Sequence, residues 1–171
     1  MISQTAEYAL RAIVWLAGHP ETSLGTPHIA AATHVPAGYM SKVLQALARS
    51  GLVVSQPGRR GGFQLTRPPS KISVLEVINS VDPIQRIHKC PLDLKSHGAK
   101  LCPLHRRLDE AMASVEDAFA GSTIEELISD PTRPTPLCES GVGLGQSLSG
   151  RAIGPQITRP GKGPGIRGNQ E

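Results

Sequence analysis

The sequence predicts a mainly α-helical chain with one small β-hairpin, followed by a longer separate helix. Three observations predict it. Apolar residues recur at helical spacing over residues 2–18, 36–50 and 103–120. Two short β-prone runs flank a basic, glycine-rich turn, Pro57-Gly58-Arg59-Arg60-Gly61-Gly62. All five aromatic residues (Tyr8, Trp15, Tyr39, Phe63, Phe119) lie before the last 41 residues.

In chain order, the first helix carries Ile2, Ala6, Ala9, Leu10, Ile13 and Leu16 inward, and Gly18, His19 and Pro20 end it. A short helix fits Thr26–Thr33, with Thr26 as its cap and Pro27 in its first turn. The next, Pro36–Ser50, has Met40, Val43, Leu44 and Leu47 as its apolar stripe and Gly51 at its C-terminal stop. Leu52–Gln56 and Phe63–Thr66 form the hairpin. Ser73–Val81 is helical with Val74, Val77 and Ile78 inward. A polar loop over 82–102 holds Cys90 and Cys102. The long helix Pro103–Ala120 lines up Leu104, Leu108, Ala111, Met112, Val115 and Phe119, and Thr123 opens a last short helix. The organisation expected is therefore a hairpin-bearing domain over 1–82, a cysteine loop over 83–102 and helices over 103–130.

Residues 131–171 contain 9 Gly and 6 Pro and no aromatic. So little large apolar surface cannot offset the entropy of ordering the backbone, so this segment is expected to be disordered. The alternative for its cations, Arg151, Arg159, Lys162 and Arg167, is weak contact with DNA.

Composition excludes several classes. Arg11 interrupts the apolar stretch around Trp15, and no run reaches the roughly 18 residues of a membrane span. No signal peptide is evident, and three Cys are too few for a disulfide scaffold, which points to cytoplasmic thiols or ligands. Phosphate-binding glycine loops, GxSxG and HExxH are absent, so no enzyme class is indicated. Residues 1–82 carry 7 basic and 4 acidic side chains, a weak hint of a polyanionic partner.

Helix, short helix, turn, longer helix and hairpin is the order of a winged helix-turn-helix. The outer face of Pro36–Ser50 offers Tyr39, Ser41, Lys42, Gln45 and Arg49, donors and acceptors suited to base edges and phosphates, with Thr26 at the start of the preceding helix. Arg59 and Arg60 sit at the hairpin tip among glycines that permit a sharp turn. Taken alone, the helix is as well explained by ordinary solvation of a polar face. The hairpin that follows it favours double-stranded DNA.

Cys90 and Cys102 are accompanied by His88, His97 and His105. Cys102 and His105 stand at i and i+3 where a helix begins, and a helix N-terminus favours an anionic thiolate. Soft thiolates suit iron–sulfur clusters, zinc or copper(I). Two Cys twelve apart do not match paired CxxC zinc spacing, so by spacing alone ordinary loop thiols remain the stronger reading.

The stretches TAEYALRAIVWLA, LQALARSGLVVS, GRRGGFQL and ISVLEVINSVD together resemble the Rrf2 family of bacterial winged-helix transcriptional regulators, over residues 1 to about 130. The resemblance implies a homodimer on a pseudo-palindromic operator, with Pro103–Ala120 forming most of the dimer contact. Family members that hold a cluster typically carry three Cys in this loop. Cys90 and Cys102 match the first and third, whereas Ser96 falls at the middle position. The fourth ligand in the family varies: a histidine after the last Cys, matching His105, or a carboxylate on the first helix of the other subunit, matching Glu7. The resemblance thus implies a 2Fe–2S cluster on Cys90, Cys102, His105 and Glu7. Glu7 is alternatively an exposed helix residue paired with Arg11 at i+4. His97 and His88 are secondary candidates, and Cys138 reads as a tail thiol. The runner-up is a clusterless regulator of the same fold that uses Cys90 and Cys102 as redox thiols or senses through a partner protein. An electron carrier, a metalloenzyme and a non-specific nucleoid-type DNA binder are weaker alternatives.

Overall fold

The computed structural model describes residues 2–58, 61–91, 100–133 and 136–137. The chain is mainly helical, with one two-stranded sheet, as the sequence predicts.

Helix α1 (Gln4–Ala17) starts at Ser3, whose Oγ accepts the Ala6 N–H at 3.2 Å. Its buried side is wider than one stripe: Ala6, Ala9, Ala12, Ile13, Val14, Leu16 and Ala17 are all in the core. The alanines let the helices over Ala37–Arg49 and Val74–Val81 approach closely, and α1 becomes the central element. Ile2 lies before the helix and is exposed rather than inward.

Helix α2 (Thr26–Ala32) corrects one expectation. Gly25 is its cap, and Thr26 is the first helical residue with no side-chain capping bond. Pro27 sits in the first turn as expected, because it has no N–H to leave unsatisfied there. Helix α3 (Ala37–Arg49) buries Met40, Val43, Leu44 and Leu47, each at most 2% exposed, which confirms its stripe. Burial of each such side chain is worth about 1.5–3 kcal/mol. Gly51 follows the helix at φ +75°, a left-handed position that stops it.

Strands β1 (Val53–Gln56) and β2 (Gly62–Leu65) pair antiparallel, with Val53 opposite Leu65 and Gln56 opposite Gly62. A third segment joins them. The Leu24 N–H donates to the Phe63 carbonyl at 3.0 Å, and Phe63 N–H returns to Leu24 at 2.8 Å. This backbone approach explains Gly62, whose Cβ would lie 2.4 Å from the Leu24 carbonyl, whereas a Cβ at Gly61 would lie 2.2 Å from the Gln56 carbonyl oxygen across the turn. The wing is thereby tied to the entrance of α2.

After a 3₁₀ turn (Pro69–Lys71), α4 (Val74–Val81) opens with a capping box between Ser73 and Glu76. Helix α5 (Pro103–Ala120) follows the loop, and α6 (Ile124–Ser129) opens with a second capping box, Thr123 with Glu126. Ile124 is fully buried, and its N–H donates to the Ile72 carbonyl at 2.9 Å, so α6 docks beside the start of α4. Leu137, within the segment expected to be disordered, packs on the core. The rest of that expectation lies outside the described residues, apart from 131–133 and Pro136. No helix among the described residues is long and apolar enough to cross a membrane.

Candidate functional site

Two regions carry the candidate residues. The first is the face built on α2, the following turn and α3. Thr33 is fully buried and its Oγ1 donates to the Ile29 carbonyl at 2.7 Å. His34 then adopts φ +54°, a left-handed conformation that reverses the chain between the two helices. No sequence signal marked it, because a histidine stands where glycine or asparagine would fit more easily.

Tyr39, Lys42, Gln45 and Arg49 are exposed along the outer side of α3, while Ser41 and Thr26 are half-buried. Tyr39 is 57% exposed, and the Lys42 ammonium lies 5.9 Å from its ring centre. Arg49 occupies the last turn of α3, where a cation complements the helix dipole. Arg59 and Arg60 lie outside the described residues.

Helix α1 braces this face. Tyr8 meets Tyr39 edge-on, with centroids 6.3 Å apart. Arg11 pairs with Glu7, donates to the Thr33 carbonyl at 3.3 Å and lies over the Tyr8 ring. The i+4 pairing considered for Glu7 is therefore formed. Glu7 also borders a hollow of ≈ 560 Å³ shared with Leu10, Val14 and residues of α6.

The second region is the cysteine loop and α5. Cys102 is the N-cap residue of α5 and His105 stands in its first turn. The Cys102 Sγ and His105 Nδ1 are 3.3 Å apart. That is the length of a thiol–imidazole hydrogen bond, and it is also close to the about 3.5 Å at which a thiolate and an imidazole would stand on one tetrahedral metal. Cys90 is half-buried. Among the described residues, no group of three or more His, Cys, Asp and Glu could hold a metal ion, so the structure pairs Cys102 with His105 but does not bring Cys90 or Glu7 into one donor group with them. Ser96, His97 and Cys138 lie outside the described residues, and His88 is exposed.

The structure adds a residue that sequence reasoning missed. Arg86 grips Asp109 through two bonds of 2.7 Å and reaches Glu116 at 2.8 Å, while the Ile87 N–H donates to Asp109 at 2.9 Å. The Arg86 guanidinium and the Ile87 N–H pull the Asp109 carboxyl down to about 2. The same contacts hold Arg86 charged beyond its ordinary range. The available signal was Asp109 and Glu116 seven apart on one helix face. Helix α5 has no buried residue, and Leu104, Leu108 and Val115 are 64%, 44% and 40% exposed.

A helix-turn-helix with its polar face outward and a wing beside it defines a DNA-binding transcriptional regulator. The family model described as "Iron-dependent Transcriptional regulator", Rrf2, matches residues 2–130, and the chain belongs to this family. A protein named as an HTH-type transcriptional regulator in Aquifex aeolicus is 30% identical over 131 residues, covering 75% of this chain and 91% of the relative. One from Mycobacterium tuberculosis is 36% identical over 119 residues, covering 67% and 74%. Among solved structures, IscR of T. potens superposes with a TM-score of 0.63 at 21% identity, covering 76% of this chain and 87% of that one. CymR, the global cysteine regulator of B. subtilis, gives 0.61 at 22% identity, covering 74% and 95%. These two share the fold. The family consists of transcriptional regulators, not enzymes.

Proposed function

We propose that the chain is a homodimeric repressor of a pseudo-palindromic operator that senses redox, nitric oxide or iron–sulfur status through a 2Fe–2S cluster. In this reading residues 1–82 bind DNA, 83–102 form the sensor loop, 103–130 carry the dimer contact and 131–171 are an accessory tail. Thr26, Tyr39, Ser41, Lys42, Gln45 and Arg49, with Arg59 and Arg60 at the wing tip, face the DNA. Cys90, Cys102 and His105, with Glu7 of the second subunit, hold the cluster. The observation that carries the cluster assignment is the Cys102–His105 pair at ligand spacing in the first turn of α5. The exposed apolar residues of α5 support the dimer, since a second copy of the same face would cover them.

Bound there by Cys90, Cys102 and His105, a 2Fe–2S cluster would supply one-electron redox chemistry. The chain's own part is mechanical. The loop that holds Cys90 runs from α4, at the back of the DNA-binding domain, to the first turn of α5. A change in its packing shifts one DNA-binding domain against the other. The two recognition helices must stand about 34 Å apart to enter successive major grooves, so a displacement of a few Å forfeits base contacts on both half-sites.

A second reading has its own support. Glu7 is engaged by Arg11 within its own chain, which favours a clusterless regulator sensing through the Cys90 and Cys102 thiols. Iron and acid-labile sulfide in protein purified without oxygen separate the two. About two of each per chain, lost in Cys102→Ala, is the expected result. Near-zero iron in protein that still binds its operator would overturn the cluster and leave the thiol reading.

A further inference from the structure

We propose that Arg86 is the positioning residue of the sensor loop: by gripping Asp109 and Glu116 it fixes the chain just before Cys90 against the helix that begins with Cys102 and His105. This inference rests on reading Cys90 and Cys102 as the sensor pair, whether as cluster ligands or as thiols.

The geometry is specific. Arg86 makes a two-point contact with Asp109, with Nε on one carboxylate oxygen and Nη2 on the other, each at 2.7 Å. Its third nitrogen reaches Glu116, and the neighbouring Ile87 N–H closes a fourth bond onto Asp109. Single exposed ion pairs hold little, but a planar fork on a carboxylate fixes direction as well as distance. All three side chains are less than 30% exposed.

The anchor has the right reach. Cys102 and Asp109 are seven residues apart, about 10 Å along the helix axis. Ile87 and Cys90 are three residues apart, and extended chain of that length spans at most about 10 Å. Chain anchored at Asp109 can therefore bring Cys90 to about the level of Cys102. Released from Asp109, the segment after α4 loses its tie to the middle of α5, while Ile84 keeps its packing on the core and its N–H keeps the bond to Asn79, 3.2 Å long. The clamp also ties the loop to the middle of α5. Movement at the cysteines is then transmitted to α5 rather than dissipated in slack chain.

The test uses full-length protein, reduced and metal-free, alkylated with N-ethylmaleimide under native conditions. Peptide mass spectrometry resolves Cys90, Cys102 and Cys138, with Cys138 as the internal reference. Arg86→Gln and Asp109→Asn are expected to change the Cys90 rate several-fold relative to Cys138, with Arg86→Lys intermediate because an ammonium cannot make the fork. A merely structural role would change Cys90 and Cys102 in parallel with the melting temperature. Selective change at Cys90, with Cys102 unchanged and the protein folded at the assay temperature, supports positioning. Unchanged Cys90 reactivity in both Arg86→Gln and Asp109→Asn would overturn it. The readout needs no cluster: iron-free wild-type protein refutes the cluster reading, whereas an insensitive Cys90 refutes the clamp.

Discussion

Replacing Lys42 with alanine tests the proposed DNA-reading face quantitatively. Lys42 is exposed on the outer side of α3, and its ammonium touches only the Tyr39 ring among the described residues, in no ion pair. Its charge is thus available to a phosphate. Losing one phosphate contact lowers the log–log salt slope of binding by about 0.9. In a dimer the change occurs twice, so the slope falls by about 1.8. Between about 50 and 200 mM salt, that narrows the affinity gap between wild type and variant by about twelvefold. Fluorescence anisotropy with an operator fragment at four or five salt concentrations measures it. The melting temperature should hold, because the side chain is not in the core. A slope change near 0.9 instead would mean that one subunit contacts DNA at a time. An unchanged slope in a folded variant would refute the assignment of this face.

Two further outcomes follow from backbone and charge. His34→Gly relieves a left-handed residue, a cost of about 1–2 kcal/mol partly returned as glycine's chain entropy, so the melting temperature should rise by about 2 °C. A fall in scanning calorimetry would contradict the strain argument. Asp109 has its folded carboxyl near 2 against an ordinary 3.8. Its contribution is complete above about pH 4 and is lost as pH falls toward 2. Asp109→Asn should therefore lose less stability than wild type across that interval, and parallel acid-unfolding curves would rule the contribution out.

Most of the DNA-binding half was legible because its rules are local. Met40, Val43, Leu44 and Leu47 recur at helical spacing, and all four are buried where the periodicity put them. Gly51 and Pro27 act where their backbone restrictions predict. The error at Thr26 is also local: a threonine at a helix start suggests a cap, yet Gly25 takes the position. The capping boxes Ser73–Glu76 and Thr123–Glu126 are written in the sequence as S/T-x-x-E, a local signal that fixes where both helices begin. The wing's third segment was not readable, because Leu24 and Phe63 are brought together by the packing of α1 and α2 rather than by a turn.

The sequence alone determined the helical order, the core stripe of α3, the hairpin and the family, since helical period, turn chemistry and composition act over a few residues. Tertiary structure decided which polar groups meet. Arg86 reaches carboxylates 23 and 30 residues away, and Arg11 reaches the carbonyl of Thr33, 22 residues on. Such pairings depend on the faces that two helices turn toward each other, which packing sets. The sequence could bring Cys102 and His105 within a turn of each other. Only the folded chain placed Arg86 and Ile87 against the middle of α5, because a segment without a period of its own takes its course from what it is bound to.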